Sequence, residues 1–288
     1  MPPEEAMATT FDAAISNMPE RPGRSSTALR WSGIGLVSGS WLSAATFGAY
    51  ILAFYVGAIP AGQLDHWNRT LPGLYDRDNP FAILAIGAHL VTGGILLLLG
   101  PVQLIGGLRR RWPSLHRWLG RAYVTAAGIA GLGGLTFILT KGTIGRAPMD
   151  AGFGIYGALM LIAAVETWRH ARARCFEIHR AWAIRLFALA IGSWLYRMDY
   201  GFWSLIADDA GHTKTFSGPF DVFMAFFFYI PNLIVAELFI RGRQGPNRAA
   251  VSMSAAIALN FGTFFVGLGT YYFTLYYWGP GIIGAFKG

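Results

Sequence analysis

Charge is scarce in this chain, at 13% of 288 residues, and cysteine nearly absent, with Cys175 its single example. One cysteine excludes an intrachain disulfide and any Cys-based metal set. Soluble domains carry roughly twice this share of charge, so an ordinary soluble domain is excluded as well. Hydrolytic signatures are missing too: there is no G-x-S-x-G elbow, H-E-x-x-H pair, phosphate-binding loop or usefully spaced aspartate pair. The last apolar stretch contains no lysine, which removes a retinal Schiff base.

What the chain has instead is apolar length. Seven stretches, over residues 31–59, 80–106, 118–139, 151–168, 181–207, 219–240 and 251–278, reach or approach the ~20 residues needed to span a bilayer as helix. Their runs are unbroken rather than alternating, which implies helices and not barrel strands. The expected fold class is all-α, a polytopic bundle of seven transmembrane helices.

Arginine sets the expected orientation. The segments Arg21–Arg30, Arg109–Arg121, Arg169–Arg185 and Arg241–Arg248 hold sixteen basic residues on one side, against six on the other: Arg69, Arg77, Lys141, Arg146, Lys214 and Lys287. The N-terminus is therefore expected in the cytoplasm and the C-terminus outside. The net charge of +8 becomes a topology signal, with anionic lipid headgroups as partners and no need for nucleic acid. Residues 1–29, polar and proline-containing, read as a cytoplasmic tail rather than a signal peptide, with Met7 or Met18 as alternative starts. The tyrosines and tryptophan at 271–278 read as interfacial anchors.

Two internal patterns carry the functional reading. Arg109, Arg111, His116 and Arg117 recur 63 residues later as Arg172, Arg174, His179 and Arg180, at the junctions of stretches two and three and of four and five. Duplication of a hairpin and the ordinary abundance of arginine in cytoplasmic loops both account for this. The second pattern is one of faces. At 100° per residue, Ala82, His89, Gly93, Gly100, Gln103 and Gly107 form one stripe on the second stretch. His116, Gly120, Tyr123, Ala127 and Gly134 do so on the third, and His179, Ala183, Ala190, Ser193 and Arg197 on the fifth.

His89 and Gln103 lie ~21 Å apart along one helix and His179 and Arg197 ~27 Å along another. Two polar clusters are thus expected: Gln103, His116 and His179 near the cytoplasmic surface, and His89 with Arg197 toward the outer half. Asp221, then Asp150, are the expected counter-charges for Arg197, since Asp199 faces away from it. Glu166 and Glu237 read as interfacial partners of Arg169, His170 and Arg241. Pro231, followed by Asn232, is expected to kink the sixth helix and free carbonyls.

The residues from His89 through Gly100, Pro101, Gln103, Pro113, His116, Arg117, Gly120, Arg121 and Tyr123, and then His179, Arg180, Trp182, Arg185 and Arg197, resemble bacterial predicted membrane proteins of domain-of-unknown-function family 2306. The resemblance covers about residues 80–200 and implies a multipass protein of the bacterial cytoplasmic membrane. It implies no substrate, cofactor or reaction.

From the residues themselves, three readings stay open. One is a small-molecule or cofactor site at His89, Gln103, His116, His179 and Arg197, holding haem b between His116 and His179, a quinone, or, as a variant, a metal on the three histidines. Against two haems, Gln103 stands where a second histidine of the helix would be required. The second is a transporter of a small anionic or proton-coupled solute along the glycine-lined path. The third is an assembly factor whose arginine loops hold lipid or a partner.

Overall fold

The computed structural model describes residues 24–59, 62–70, 73–242 and 248–287, and all its regular elements are helical. Helix α1 runs Arg24–Ile51 and continues into a π-helical segment, Leu52–Val56. The short α2, Trp67–Thr70, leads to α3, Pro80–Leu104, and α4, Gly106–Arg111. Then come α5, Pro113–Thr140, α6, Arg146–Arg172, α7, Phe176–Ala190, and α8, Gly192–Ala207. The chain ends with α9, Pro219–Phe227, α10, Ile230–Arg241, α11, Arg248–Phe273, and α12, Gly279–Lys287. Of the expected tail, residues 1–23 lie outside the described residues.

Among the described residues six segments are long and apolar enough to cross a membrane: Thr27–Tyr55, Pro80–Gln103, Pro113–Thr140, Arg146–Arg172, Pro219–Arg241 and Met253–Gly284. The fifth expected stretch is the exception. It forms two helices, α7 and α8, that meet at Ile191, and neither alone has the length to span.

Prolines set most of the helix ends. Pro80 and Pro113 occupy first turns, where a missing N–H costs nothing, and the Asn79 side chain accepts from Ala82 N at 3.0 Å. Pro101 lies inside α3, which ends three residues later at Leu104. Pro231 does not bend a continuous helix as expected. The chain breaks just before it, at Phe228 and Tyr229, so that the proline falls in the first turn of α10. The Phe228 carbonyl is taken by Asn232 Nδ2 at 2.9 Å.

The helices close into a ring in which α1 packs on α3, α3 on α5, α5 on α6, α6 on α7, α7 on α10, α10 on α11 and α11 on α1. The α3–α5 contact is antiparallel and uses the expected small residues. A Cβ on Gly133 would stand 2.6 Å from Ala85 O, and one on Gly134 3.2 Å from His89 Nδ1. One on Gly120 would reach Gln103 Oε1 at 3.3 Å, and one on Gly100 the rings of Phe187 and Tyr123 at 3.1–3.2 Å. Gly93 and Gly107, on the same stripe, meet nothing within 4 Å. Outside the spans, Lys141 Nζ bonds Asp76 Oδ2 at 2.8 Å and holds that carboxyl below its usual range, tying the loop before α3 to the end of α5.

Gly133→Ala must part α3 from α5 because the obstacle is backbone, and is expected to cost about 1–3 kcal/mol. Gly128→Ala, with nothing within 4 Å, is expected to be neutral or slightly stabilising. Thermal unfolding of both variants in detergent checks the contrast.

Candidate functional site

The inner candidate residues assemble along the α3–α5 seam. Gln103 meets α5 at Gly120, and His116 and Tyr123 lie one turn to either side of that glycine on the same face. Gln103 Nε2, His116 Nδ1 and Tyr123 Oη are all buried, and none has a hydrogen-bond partner among the described residues. His179 is near enough to His116 to act on its charge. It is held by its own bond, Nδ1–H to Thr167 O at 2.9 Å, which leaves Nε2 to accept or ligate when the ring is neutral.

The histidine-arginine repeat is visible in the backbone. Helices α5 and α7 begin 63 residues apart, after Trp112 (ψ 72°) and Cys175 (ψ 70°). His116 N bonds Trp112 O at 3.1 Å, and His179 N bonds Cys175 O at 2.9 Å. The rings then differ for a physical reason. The position 63 residues before Thr167 is Leu104, where α3 ends and the chain turns out through Ile105 (ψ 101°).

The outer candidates form a second group. His89 donates from Nδ1 to Ala130 O at 2.8 Å, and the Arg197 guanidinium is near enough to act on its charge. Arg197 donates to Ser193 O at 2.9 Å and lies 5.4 Å over the Phe47 ring. Among the described residues no carboxylate pairs with it. Asp221, the expected counter-charge, is fully committed elsewhere, and Asp150 accepts from Thr143 N at 2.6 Å before α6. His89 stays with this group, so the three histidines do not converge, and no cluster of three metal-binding side chains occurs among the described residues.

Haem b does not fit this arrangement. His116 and His179 lie at helix starts, and about two turns further along α5 and α7 the space at Gly100 is filled by Phe187 and Tyr123, so a macrocycle held by the two histidines has no room to extend into the bundle there. His89 faces glycines and a carbonyl rather than a second imidazole.

The best-built polar network was missed in the sequence. Asp221, 1% exposed, accepts from His212 Nδ1 at 2.6 Å, Tyr200 Oη at 2.8 Å, Thr213 N at 3.0 Å and Gly218 N at 2.9 Å. Tyr196 Oη in turn donates to Tyr200 Oη at 3.1 Å. The available signal was Gly218-Pro219 before a helix with aspartate in its first turn, the position from which a carboxylate reaches back to loop N–H groups. Glu237 holds another partner that spacing did not show. Besides Arg241 Nε at 3.0 Å it takes two donors of Arg185, at 2.8 and 3.1 Å, across to α7. Glu166 pairs locally with Arg169 at 3.0 Å and His170 at 3.1 Å, as its spacing suggests.

Residues 86–240, more than half of the chain, match the family described as predicted membrane protein (DUF2306). The chain belongs to this family. No curated protein and no solved structure matches it. The DUF2306 match runs from α3 to the end of α10 and includes both polar groups, the repeat and the Asp221 network. Several apolar helices and this family place the protein in a membrane as a multipass protein.

Asp221→Ala strands four donors in a closed loop and is expected to destabilise the protein by about 2–4 kcal/mol. Glu237→Ala, at a half-exposed pair, is expected to cost about 1 kcal/mol or less. Unfolding of the two variants under one detergent condition checks the order.

Proposed function

We propose that this protein binds a small uncharged molecule bearing acceptor carbonyls, with a quinone ring the best-matching class, at Gln103, His116 and Tyr123 in the inner half of its bundle. The observation that carries the reading is the three buried polar atoms without partners on one seam. Each such group costs about 1–3 kcal/mol when left unsatisfied. Gln103 and Tyr123 bring N–H and O–H donors, His116 brings a ring nitrogen of either role, and Phe187 adds an aromatic wall. Beyond Gln103 the space around Gly107 is open, and the surface hollow of about 480 Å³ at Arg111–Leu115 adjoins His116 in sequence. His179 Nε2 is an acceptor for the hydroxyl of the reduced, quinol form of the same ligand. These residues bind and orient; they do not define a reaction.

The same reading takes the bundle as seven passes of a bacterial cytoplasmic membrane, N-terminus inside. What supports the seventh pass is the α7–α8 junction. Ile191 is α-helical (φ −79°, ψ −13°), Ile191 N bonds Phe187 O at 3.1 Å, and Leu195 N bonds Ile191 O at 3.0 Å. Residues 176–207 thus follow one nearly continuous helical path. Arg109, Arg110, Arg111, Arg172 and Arg174 are exposed and make no ion pair among the described residues, as arginines facing anionic headgroups would.

Titration of the detergent-purified protein with a short-chain ubiquinone, followed by thermal unfolding, is expected to show saturable stabilisation. Tyr123→Phe is expected to weaken it about tenfold, the worth of one hydrogen bond. No stabilisation at any concentration overturns the reading. So does a Soret band in the purified protein that is lost in His179→Ala, which makes it a haem protein instead.

Cys175, the single cysteine, is exposed in the turn between α6 and α7. A membrane-impermeant maleimide is expected to label it in inverted vesicles and not in intact spheroplasts. Labelling of spheroplasts reverses the orientation.

A further inference from the structure

Arg197 lies within the apolar bundle and has no carboxylate to neutralise it among the described residues. A charge in that setting costs a few kcal/mol and is retained where something compensates it. Its one intramolecular acceptor is the carbonyl of Ser193, and the Phe47 face supplies only a weak electrostatic contact. Asp199, two residues along α8, faces away and forms no ion pair with it. Most of the guanidinium donors are therefore without an acceptor.

A second, independent donor lies one turn away on the same face of α8. Trp194 is completely buried and its indole Nε1–H has no hydrogen-bond partner. Trp194 and Arg197 are three residues apart on α8, on one face and within one turn. Trp194 packs in the same buried cluster as Phe47, the ring beneath the guanidinium. His89 completes the surroundings from α3, its ring fixed by the Ala130 carbonyl. A fixed positive charge and a fully desolvated N–H, both lacking acceptors, are complementary to negative charge and to no neutral hydrocarbon.

We infer that Arg197 and the Trp194 indole N–H form an intramembrane binding site for a small monovalent anion, a carboxylate or a halide, bordered by His89 and Phe47. The anion is the missing counter-charge of Arg197. Its hydrogen bonds come from the guanidinium and the indole. This site is separate from the Gln103–His116–Tyr123 seam and does not rest on the quinone reading.

The test uses full-length protein in mild detergent, held at constant ionic strength with the bulky sulfonate buffer salt sodium MES, neither a carboxylate nor a halide. Sodium acetate or sodium chloride replaces the sulfonate stepwise while the unfolding temperature is followed. A saturable rise with acetate or chloride is expected in the wild type. Trp194→Phe, which keeps the ring packing and loses only the donor, is expected to raise the half-saturating concentration about tenfold. Arg197→Gln is expected to abolish the rise, Arg197→Lys to keep part of it, and Arg180→Gln, near the start of α7, to leave it unchanged. Absence of a rise in the wild type overturns the proposal. A rise that Trp194→Phe leaves unaltered, in a variant that elutes as a single folded species, overturns it equally, whether or not Arg197→Gln folds.

Discussion

The close approach of α3 and α5 is the contact on which the rest of the bundle depends. Between helices in lipid there is little hydrophobic driving force, so association relies on packing and on polar bonds that only near contact permits. Gly133 and Gly134 supply the clearance, and the His89 ring fills it by bonding Ala130 O, a carbonyl already within the helix. Because Gly120 admits Gln103 and Gly100 admits Tyr123 in the same antiparallel register, this one contact also fixes which polar groups meet at the inner end.

The second constraint is that every helix interruption must find its own partners, since lipid offers none. The solutions here are local. Asn232 returns to the Phe228 carbonyl at the break before α10, and Ile191 keeps helical geometry so that both neighbouring hydrogen bonds survive between α7 and α8. The turn from α8 to α9 is closed by Asp221, which gathers four donors from three parts of the chain. At such places polar residues are consumed by structure and have nothing left to offer a ligand.

That distinction separates the polar groups of the bundle. Asp221 and Glu237 are committed to several donors each, whereas Gln103, His116, Tyr123 and Trp194 retain unused atoms in buried positions. The two copies of the histidine-arginine repeat show how it arises. Near-identical helix starts place His116 and His179 alike, yet His179 reaches the Thr167 carbonyl of α6 while His116 Nδ1 finds no partner among the described residues.

Composition and run length by themselves determined that this is an all-helical membrane protein, because twenty apolar residues have few other uses. Periodicity was enough to show that His89, Gly100 and Gln103 share a face with small neighbours, since the helical angle is a local quantity. Which groups remain unpartnered was decided only by tertiary structure. The pairing of Arg185 with Glu237 spans 52 residues, and that of Asp221 with Tyr200 spans 21 across a loop whose path no local rule specifies. Asp221 was read from the sequence as the natural counter-charge for Arg197 because both lie toward one end of the bundle, but depth along a helix says nothing of azimuth between helices. The division of the fifth apolar stretch at Ile191 was equally invisible, because an apolar run is the same sequence whether its helix is whole or parted.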